Sequence, residues 1–431
     1  MGSRNSQTCQ IHNKIFTSLI NNFTNTDLLI LSDFSGGSIR DPKFLAQDLI
    51  CKLKLEPLVT ADNETHDYNL HFNFGIQNNS KQLKTINIII DLEEQHLNLK
   101  PKTIYTSPSP THQYCESKTN VLPNELGYQF EIKIDPESCL YISNTLWNPI
   151  DAINKTFESL CQQEPLHVID YGTSCNGNKL SAYKTFQDRD LNKPLILITS
   201  GFHPTEGDTT ATEAIAKWLL TTGKDNTKNV DFVIIPVVNP DGFTSGYNGC
   251  NTSGINLFWD FQNYNLKSCP EAYYLWEFIK QFPPNIYLDF HAYSIQGKQK
   301  KIGPYFKPEI FYFGKLTKEY ASKMLKSLES LPGNKSQKLY APSTLAYKIT
   351  KTFNTITFAK YHLHQDLGIH GLQQLAINVV QNIVHTLNHC DLHDQILRPY
   401  GSRHKPYKDI LSQMLYTCRY SLPKQLKKQF K

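Results

Sequence analysis

Arginine is scarce in this chain. Of 431 residues only six are arginine (Arg4, Arg40, Arg189, Arg398, Arg403 and Arg419), and none lies between residues 190 and 397. A bidentate guanidinium fork for a carboxylate therefore cannot come from that stretch. Long apolar runs are also missing. None reaches the ~18 residues of a membrane helix, so no membrane span is expected. The first residues, MGSRNSQTCQIHNK, lack the apolar core of a secretion signal. The ten cysteines include no C-x-x-C pair, and scattered cysteines in so long a chain point to free thiols in a reducing, cytoplasmic setting. Sequons such as Asn63 to Thr65 are then read as chance. No G-x-x-x-x-G-K-[ST] or G-x-G-x-x-G segment occurs, which excludes the usual nucleotide cradles.

What is present is an ordinary globular composition, with 39% hydrophobic and 19% charged residues. The net charge of +5 is unevenly spread. From Arg398 to Lys431 there are nine Lys or Arg and one acidic residue, Asp409, leaving the rest slightly acidic. That tail can meet an acidic partner, or it can be a solvated extension. Nucleic acid is not an expected partner: no RNP, zinc-finger or helix-turn-helix pattern appears and the main body is acidic.

Residues 27–149 read as strands. YNLHFNFGI (Tyr68 to Ile76) alternates apolar and polar residues, and INIIIDL (Ile86 to Leu92) and GYQFEIKID (Gly127 to Asp135) are similar. Turn signals such as SGG, DNET and QNNS separate them. This predicts a small β-sandwich domain. After Pro149 the pattern changes. A helix is predicted over residues 150–162, then strands PLILITS, DFVIIPVV, NIYLDF and NTITFA alternate with helices TTATEAIAKWLL, EAYYLWEFIKQF and GLQQLAINVVQNIVHTLNH. Strands apolar on both faces, alternating with helices, predict an α/β fold with a mixed sheet covered on both sides. The expected divisions are an N-terminal segment (1–26), a β-sandwich-like domain (27–149), an α/β domain (150–391) and a basic extension (392–431).

His203 and Glu206 form an H-x-x-E pair just after a buried strand, and His291 follows another strand, YLDF. Ligands commonly bind at strand ends of open α/β sheets. Two His and one carboxylate make up a catalytic rather than a structural zinc site. The alternative is that these are polar loop residues pairing with each other.

At these residues the chain resembles the zinc metallocarboxypeptidases of the carboxypeptidase A-like family, closest to their cytosolic branch. GFHPTEG resembles the H-P-G-E zinc motif, VIIPVVNPDGF (Val233 to Phe243) the P-x-x-N-P-D-G segment, and YLDFHAYS (Tyr287 to Ser294) the segment bearing the last zinc ligand. YGTSCNGNKL (Tyr171 to Leu180) resembles the turn before the first motif, and LSDFSGGSI (Leu31 to Ile39) the start of the preceding β-sandwich. The resemblance covers about residues 27–390. It implies a mixed-sheet carboxypeptidase-like domain preceded by a small β-sandwich, and one Zn2+ on His203, Glu206 and His291. Asp289 is placed beside the last ligand, behind which it can act. The implied activity is hydrolysis of a C-terminal residue, or a related amide, from a peptide or protein.

Three departures bear on that activity. Phe258 and Trp259 stand where the family has an Asn-Arg pair for the substrate carboxylate, within GINLFWDF. Gly249, in GYNGC, stands where the branch has an oxyanion-stabilising arginine. Ala359, in TITFAKYH, stands where the family has its general-base glutamate. A lost base costs ~10²–10⁴-fold and a lost oxyanion donor about 10²–10³-fold. Replacements are sought in YHLHQD, expected as a loop after the late strand. His362, His364 and Asp366 are candidate bases there, if that loop curls toward the metal. Phe258, Trp259 and Lys360 are candidates for substrate binding. Lys298, Lys300, Lys301 and a folded-back Arg189 are other sources of positive charge, and Tyr293, Tyr340 and Tyr347 are candidate proton donors. Three functions stay open: a zinc hydrolase, a pseudoenzyme that keeps fold and zinc as a binding protein, and a binding module built on the N-terminal domain and the basic tail.

Overall fold

The computed structural model describes residues 27–93, 101–162, 165–292, 315–331, 341–353 and 355–389, with the backbone alone for 315–321, 359 and 360. In chain order the first strands are β1 (Leu28–Leu31), β2 (Arg40–Leu45), β3 (Asp48–Lys52), β4 (Val59–Ala61), β5 (Glu64–His66), β6 (Asn73–Asn78), β7 (Lys84–Asp91), β8 (Tyr105–Ser107), β9 (Cys115–Glu116), β10 (Leu122–Asn124), β11 (Gly127–Ile134) and β12 (Ser138–Ser143). They form two five-stranded sheets, ordered β1-β6-β12-β8-β9 and β10-β11-β7-β3-β2, and the separate hairpin β4-β5. Alternation decides which side chains meet between the sheets. Ile86, Ile88 and Ile90 of β7 and Tyr128, Phe130 and Ile132 of β11 join Phe74 and Ile76 of β6 and Ile142 of β12 in one core. This is the β-sandwich the alternating patterns predict. The segment Tyr68 to Phe72, expected as strand, precedes β6 as irregular chain.

The second part begins with helix α1 (Ile150–Leu160), whose buried face is Ile153, Phe157 and Leu160. Strands β13 (His167–Thr173), β14 (Lys179–Lys184), β15 (Leu195–Thr199), β16 (Asp231–Ile235), β17 (Ile286–Ala292) and β18 (Ile356–Leu363) form one mixed sheet in the order β13-β14-β16-β15-β17-β18. The last four run parallel, and β14 joins them antiparallel. The helices between are α2 (Thr209–Leu220), α3 (Pro240–Ser245), α4 (Pro270–Gln281), α5 (Lys315–Glu329), α6 (Leu345–Phe353) and α7 (Gly368–His389).

Both faces of this sheet are covered, which explains why its central strands read as unbroken apolar runs. On one face Ile196, Ile198 and Leu288 pack with α1, α2 and α7 through Phe157, Ile215 and Val380. On the other, Leu195, Leu197 and Tyr287 pack with α4 and α6 through Leu275, Ile279 and Ile349. Among the described residues no helix is long and apolar enough to cross a membrane.

One expectation about this sheet is corrected. Tyr361, His362 and Leu363 are not a loop. They continue β18, paired in parallel with Phe290, His291 and Ala292. The pairing survives because of a bulge: between Leu288↔Phe358 and Phe290↔Tyr361, residues Ala359 and Lys360 stand opposite Asp289 alone.

Candidate metal centre

His203 and Glu206 lie just beyond the carboxyl end of β15, and His291 lies near that of its parallel neighbour β17. Gly201 makes the exit from β15 possible. Its φ is +66°, and a Cβ there would stand 2.7 Å from the Pro236 carbonyl oxygen. A single 3-10 turn, Pro204–Glu206, then folds Glu206 back onto His203. Glu206 Oε1 lies 2.8 Å from His203 Nδ1 and Oε2 lies 2.9 Å from His291 Nδ1. The Ala292 N–H also donates to Oε2, at 3.1 Å. All three side chains are buried.

The surroundings hold these groups in place. Asp289 Oδ2 lies 3.2 Å from His291 Nε2, and Thr199 Oγ1 donates to Asp289 Oδ1 at 2.9 Å. Gln365 Nε2 donates to the carbonyls of Thr205, Glu206 and Ala292 at 3.1, 3.0 and 3.0 Å. One amide thus ties the end of β18 to the segments that carry Glu206 and His291.

The electrostatics follow from burial and proximity. Burial disfavours the charge of Glu206, but His291 and His203 beside it outweigh that and hold its carboxyl well below the usual range. Burial likewise disfavours a charged His291, yet the Asp289 and Glu206 carboxylates push it up to about 10. Buried Asp208, which accepts from the Gly201 N–H at 3.1 Å, is pushed well above the usual carboxylate range by burial and by the charge of Glu206.

The donor set fits zinc. One ligand atom from each of His203, Glu206 and His291 lies within 4.8 Å of the others. Zinc–nitrogen and zinc–oxygen bonds of about 2.0–2.2 Å set tetrahedral edges near 3.3 Å. The observed contacts of 2.8 and 2.9 Å need to open by roughly half an ångström to meet that geometry. A carboxylate behind the second nitrogen of His291 is the arrangement expected of a metal-bound imidazole. A second group, Cys175, Asp241 and Glu271, is also close enough to hold an ion. Its carboxylates are already engaged. Asp241 accepts from Ser174, Asn176, Asn178 and Thr252, and Glu271 from the Cys175 N–H and Asn251. This cluster joins loops to the start of α4.

Aromatic rings surround the two imidazoles. Asn256 accepts from the Phe258 N–H at 3.1 Å and caps the turn Leu257–Trp259. From that turn the Phe258 ring packs 5.6 Å from the His203 ring and 5.0 Å from His291. Trp259 stacks on His66 of β5 at 4.3 Å and donates through Nε1 to the Tyr68 hydroxyl at 2.8 Å. The Tyr68 ring in turn lies 4.9 Å from His203.

The proposed bases separate into two environments. His362 is buried and stands in register with His291 on the adjacent strand. His364 Nδ1 lies 3.2 Å from Asp366 Oδ2, and Asp366 also pairs with Lys102, which precedes β8. The idea that Arg189 folds back to the site is overturned: it is held by Asp231, 2.5 Å away at the amino end of β16, whereas His203, Glu206 and His291 lie at carboxyl ends. Tyr347 lies on α6. The side chain of Lys360, residues Lys298, Lys300, Lys301, Tyr293 and Tyr340, and the basic tail lie outside the described residues.

Four residues around this centre were not singled out from sequence. Gln365 sits inside YHLHQD, but an amide offers neither acid nor base and so carries no catalytic signal. His66, Tyr68 and Glu56 come from the part of the chain that precedes the α/β sheet. Glu56 accepts from the backbone N–H of Asn248, and from those of Gly249 and Cys250 at 2.9 Å each. No local spacing signals such partners, which lie nearly two hundred residues away.

Comparison with known proteins gives a consistent picture. Residues 153–297 match the zinc carboxypeptidase family model. The chain is 31% identical over 114 residues to cytosolic carboxypeptidase 1 of Xenopus laevis, a stretch covering 24% of this chain and 9% of that protein. The chain thus spans about a tenth of the length of that curated relative. The crystal structure of a metallo-carboxypeptidase from Burkholderia cenocepacia superposes with a TM-score of 0.66 at 14% identity, covering 84% of this chain and 99% of that one. A metallo-carboxypeptidase from Pseudomonas aeruginosa gives 0.67 at 13% identity, covering 86% and 100%. At such identities the likeness is one of fold.

Proposed function

We propose that this chain, a zinc metallocarboxypeptidase by fold and family resemblance, binds one zinc ion through His203, Glu206 and His291 and is a zinc-dependent hydrolase of a peptide or related amide. One observation carries this reading: two imidazoles and a carboxylate converge within 4.8 Å at adjacent parallel strand ends, with Asp289 behind His291. The chemistry zinc supplies at such a site is Lewis-acid polarisation of a carbonyl and acidification of water. The chain's own groups do the rest. Asp289 and Gln365 orient the ligand residues. His362, in register with His291, is the group we assign to hold the transferred proton. Phe258 and Trp259 exclude water and favour an uncharged or aromatic group over a free carboxylate. A cytoplasmic protein with a peptide or protein substrate agrees with the likeness to a cytosolic carboxypeptidase.

The decisive experiment incubates zinc-loaded protein with a mixed peptide library bearing free or amidated C-termini, with His203→Ala as control, and reads products by mass spectrometry. Cleavage indifferent to amidation and absent in the control is expected. No cleavage of either set by protein with bound zinc contradicts the reading.

A second reading is a zinc-holding binding protein without turnover, and it rests on two features of the sequence. The bulge opposite Asp289 carries Ala359 rather than an acidic residue, and residues 190–397 hold no arginine. Zinc can hold loops together without catalysis. The library experiment separates the two.

A further inference from the structure

The N-terminal domain reaches the metal centre through a small arm. Hairpin β4-β5 lies against the α/β domain, where Asp62 accepts from the Ser343 hydroxyl at 2.8 Å. The chain that follows brings Tyr68 against His203, ring to ring at 4.9 Å. The phenol is held firmly. Its oxygen accepts from Trp259 Nε1 at 2.8 Å, and the Tyr68 carbonyl accepts from Asn248 Nδ2 at 2.9 Å.

Room for this ring depends on Gly249. A Cβ on Gly249 would stand 2.8 Å from Tyr68 Cγ and 2.5 Å from Asn256 Nδ2, so a side chain there and the Tyr68 ring exclude each other. Glu56 fixes the same loop from the N-terminal domain through the N–H groups of residues 248 to 250. The chain has thus cleared one side chain from the loop beside the metal ligands and placed a phenol from another domain in its space. With its oxygen accepting from Trp259 Nε1 and lying beside the Asn256 side-chain amide, the Tyr68 hydroxyl keeps its own hydrogen to give. Tyr68 is also partly exposed, whereas His203, Glu206 and His291 are buried.

We infer that Tyr68 is a substrate-contacting residue of the metal centre, whose phenol donates a hydrogen bond to the oxygen of the bound amide, so that the N-terminal domain completes the site. This rests on the hydrolase reading above. Burial pushes the Tyr68 phenol above its ordinary range, so it keeps its proton at neutral pH. A neutral donor of this kind takes over the charge-stabilising task that no arginine in residues 190–397 can perform. A donor that acts chiefly on the charge developing in the transition state is worth about 10²–10³-fold in kcat, with little change in KM.

The test compares wild type, Tyr68→Phe and Trp259→Phe as full-length, zinc-loaded proteins of verified zinc content and thermal stability. Two readouts are taken: hydrolysis of the best amide from the library, and binding of a phosphinic peptide, whose tetrahedral oxygens imitate the hydrated amide. Tyr68→Phe is expected to lose about 10²–10³-fold in kcat with KM little altered. Trp259→Phe, which keeps the phenol but removes its anchor, is expected to lose less. An unchanged kcat in Tyr68→Phe beside an active wild type overturns this inference and leaves the hydrolase reading standing. If wild type holds zinc but hydrolyses nothing, the hydrolase reading fails, and phosphinate binding decides. A tenfold or greater weakening in Tyr68→Phe upholds the contact, and equal or absent binding overturns it. Should Tyr68→Phe not fold, the kcat of Trp259→Phe decides, and no change overturns the inference.

Discussion

Gln365 Nε2 donates to the Glu206 carbonyl at 3.0 Å and fastens the end of β18 to the turn that carries two of the three proposed zinc ligands. The same nitrogen serves the carbonyls of Thr205 and Ala292, so its two hydrogens are shared among three acceptors, all buried. Replacing Gln365 with leucine leaves those carbonyls without their donor, at about 1–3 kcal/mol, and frees the ligand turn. The expected outcome for Gln365→Leu is a lower melting temperature together with a zinc affinity reduced by about 10–100-fold. Calorimetric zinc titration and thermal unfolding check it. A stability loss with unaltered zinc affinity contradicts the positioning role.

Asp289 acts on the same centre from the opposite side. Held by Thr199, its carboxylate faces His291 Nε2, which fixes the ring so that Nδ1 points at Glu206. Asp289→Asn keeps the shape but weakens this hold, and zinc affinity is expected to fall about 10–100-fold. Equal affinity in a competition titration against a chelator contradicts it.

A stability effect of pH is expected from Glu213 on α2. It is buried, accepts from Asn148 Nδ2 at 3.0 Å, and burial pushes its carboxyl from 4.5 up to about 7. A raised acid binds its proton more tightly in the folded state. That stabilisation is whole below pH 4.5 and is lost as pH rises through about 7. Glu213→Gln is neutral at every pH, so at pH 8.5 the variant is expected to be the more stable, by at most about 3 kcal/mol. The two proteins converge at pH 4.5. An offset that does not vary with pH contradicts this account.

How far the sequence alone reaches is visible in particular residues. The grouping of His203, Glu206 and His291 was legible because His203 and Glu206 stand one turn apart at a strand end, and His291 follows a run apolar on both faces. The helix over Thr209–Leu220 was legible to the residue from its apolar spacing. The end of β18 was not, because Lys360, His362 and His364 interrupt the apolar run at the bulge and make YHLH read as loop. Tyr68 and Glu56 were not legible either. Their partners, Trp259 and Gly249, lie 191 and 193 residues away, and such pairings are set by tertiary packing between distant segments.

The most direct test of the central claim is the metal content of the purified protein after equilibration with zinc and removal of excess, for wild type and for His291→Ala, each shown to be folded by circular dichroism. The account predicts one zinc per chain in wild type and none retained by the variant. Wild type without zinc, or a variant that keeps it, contradicts the assignment of His203, Glu206 and His291 as the ligands.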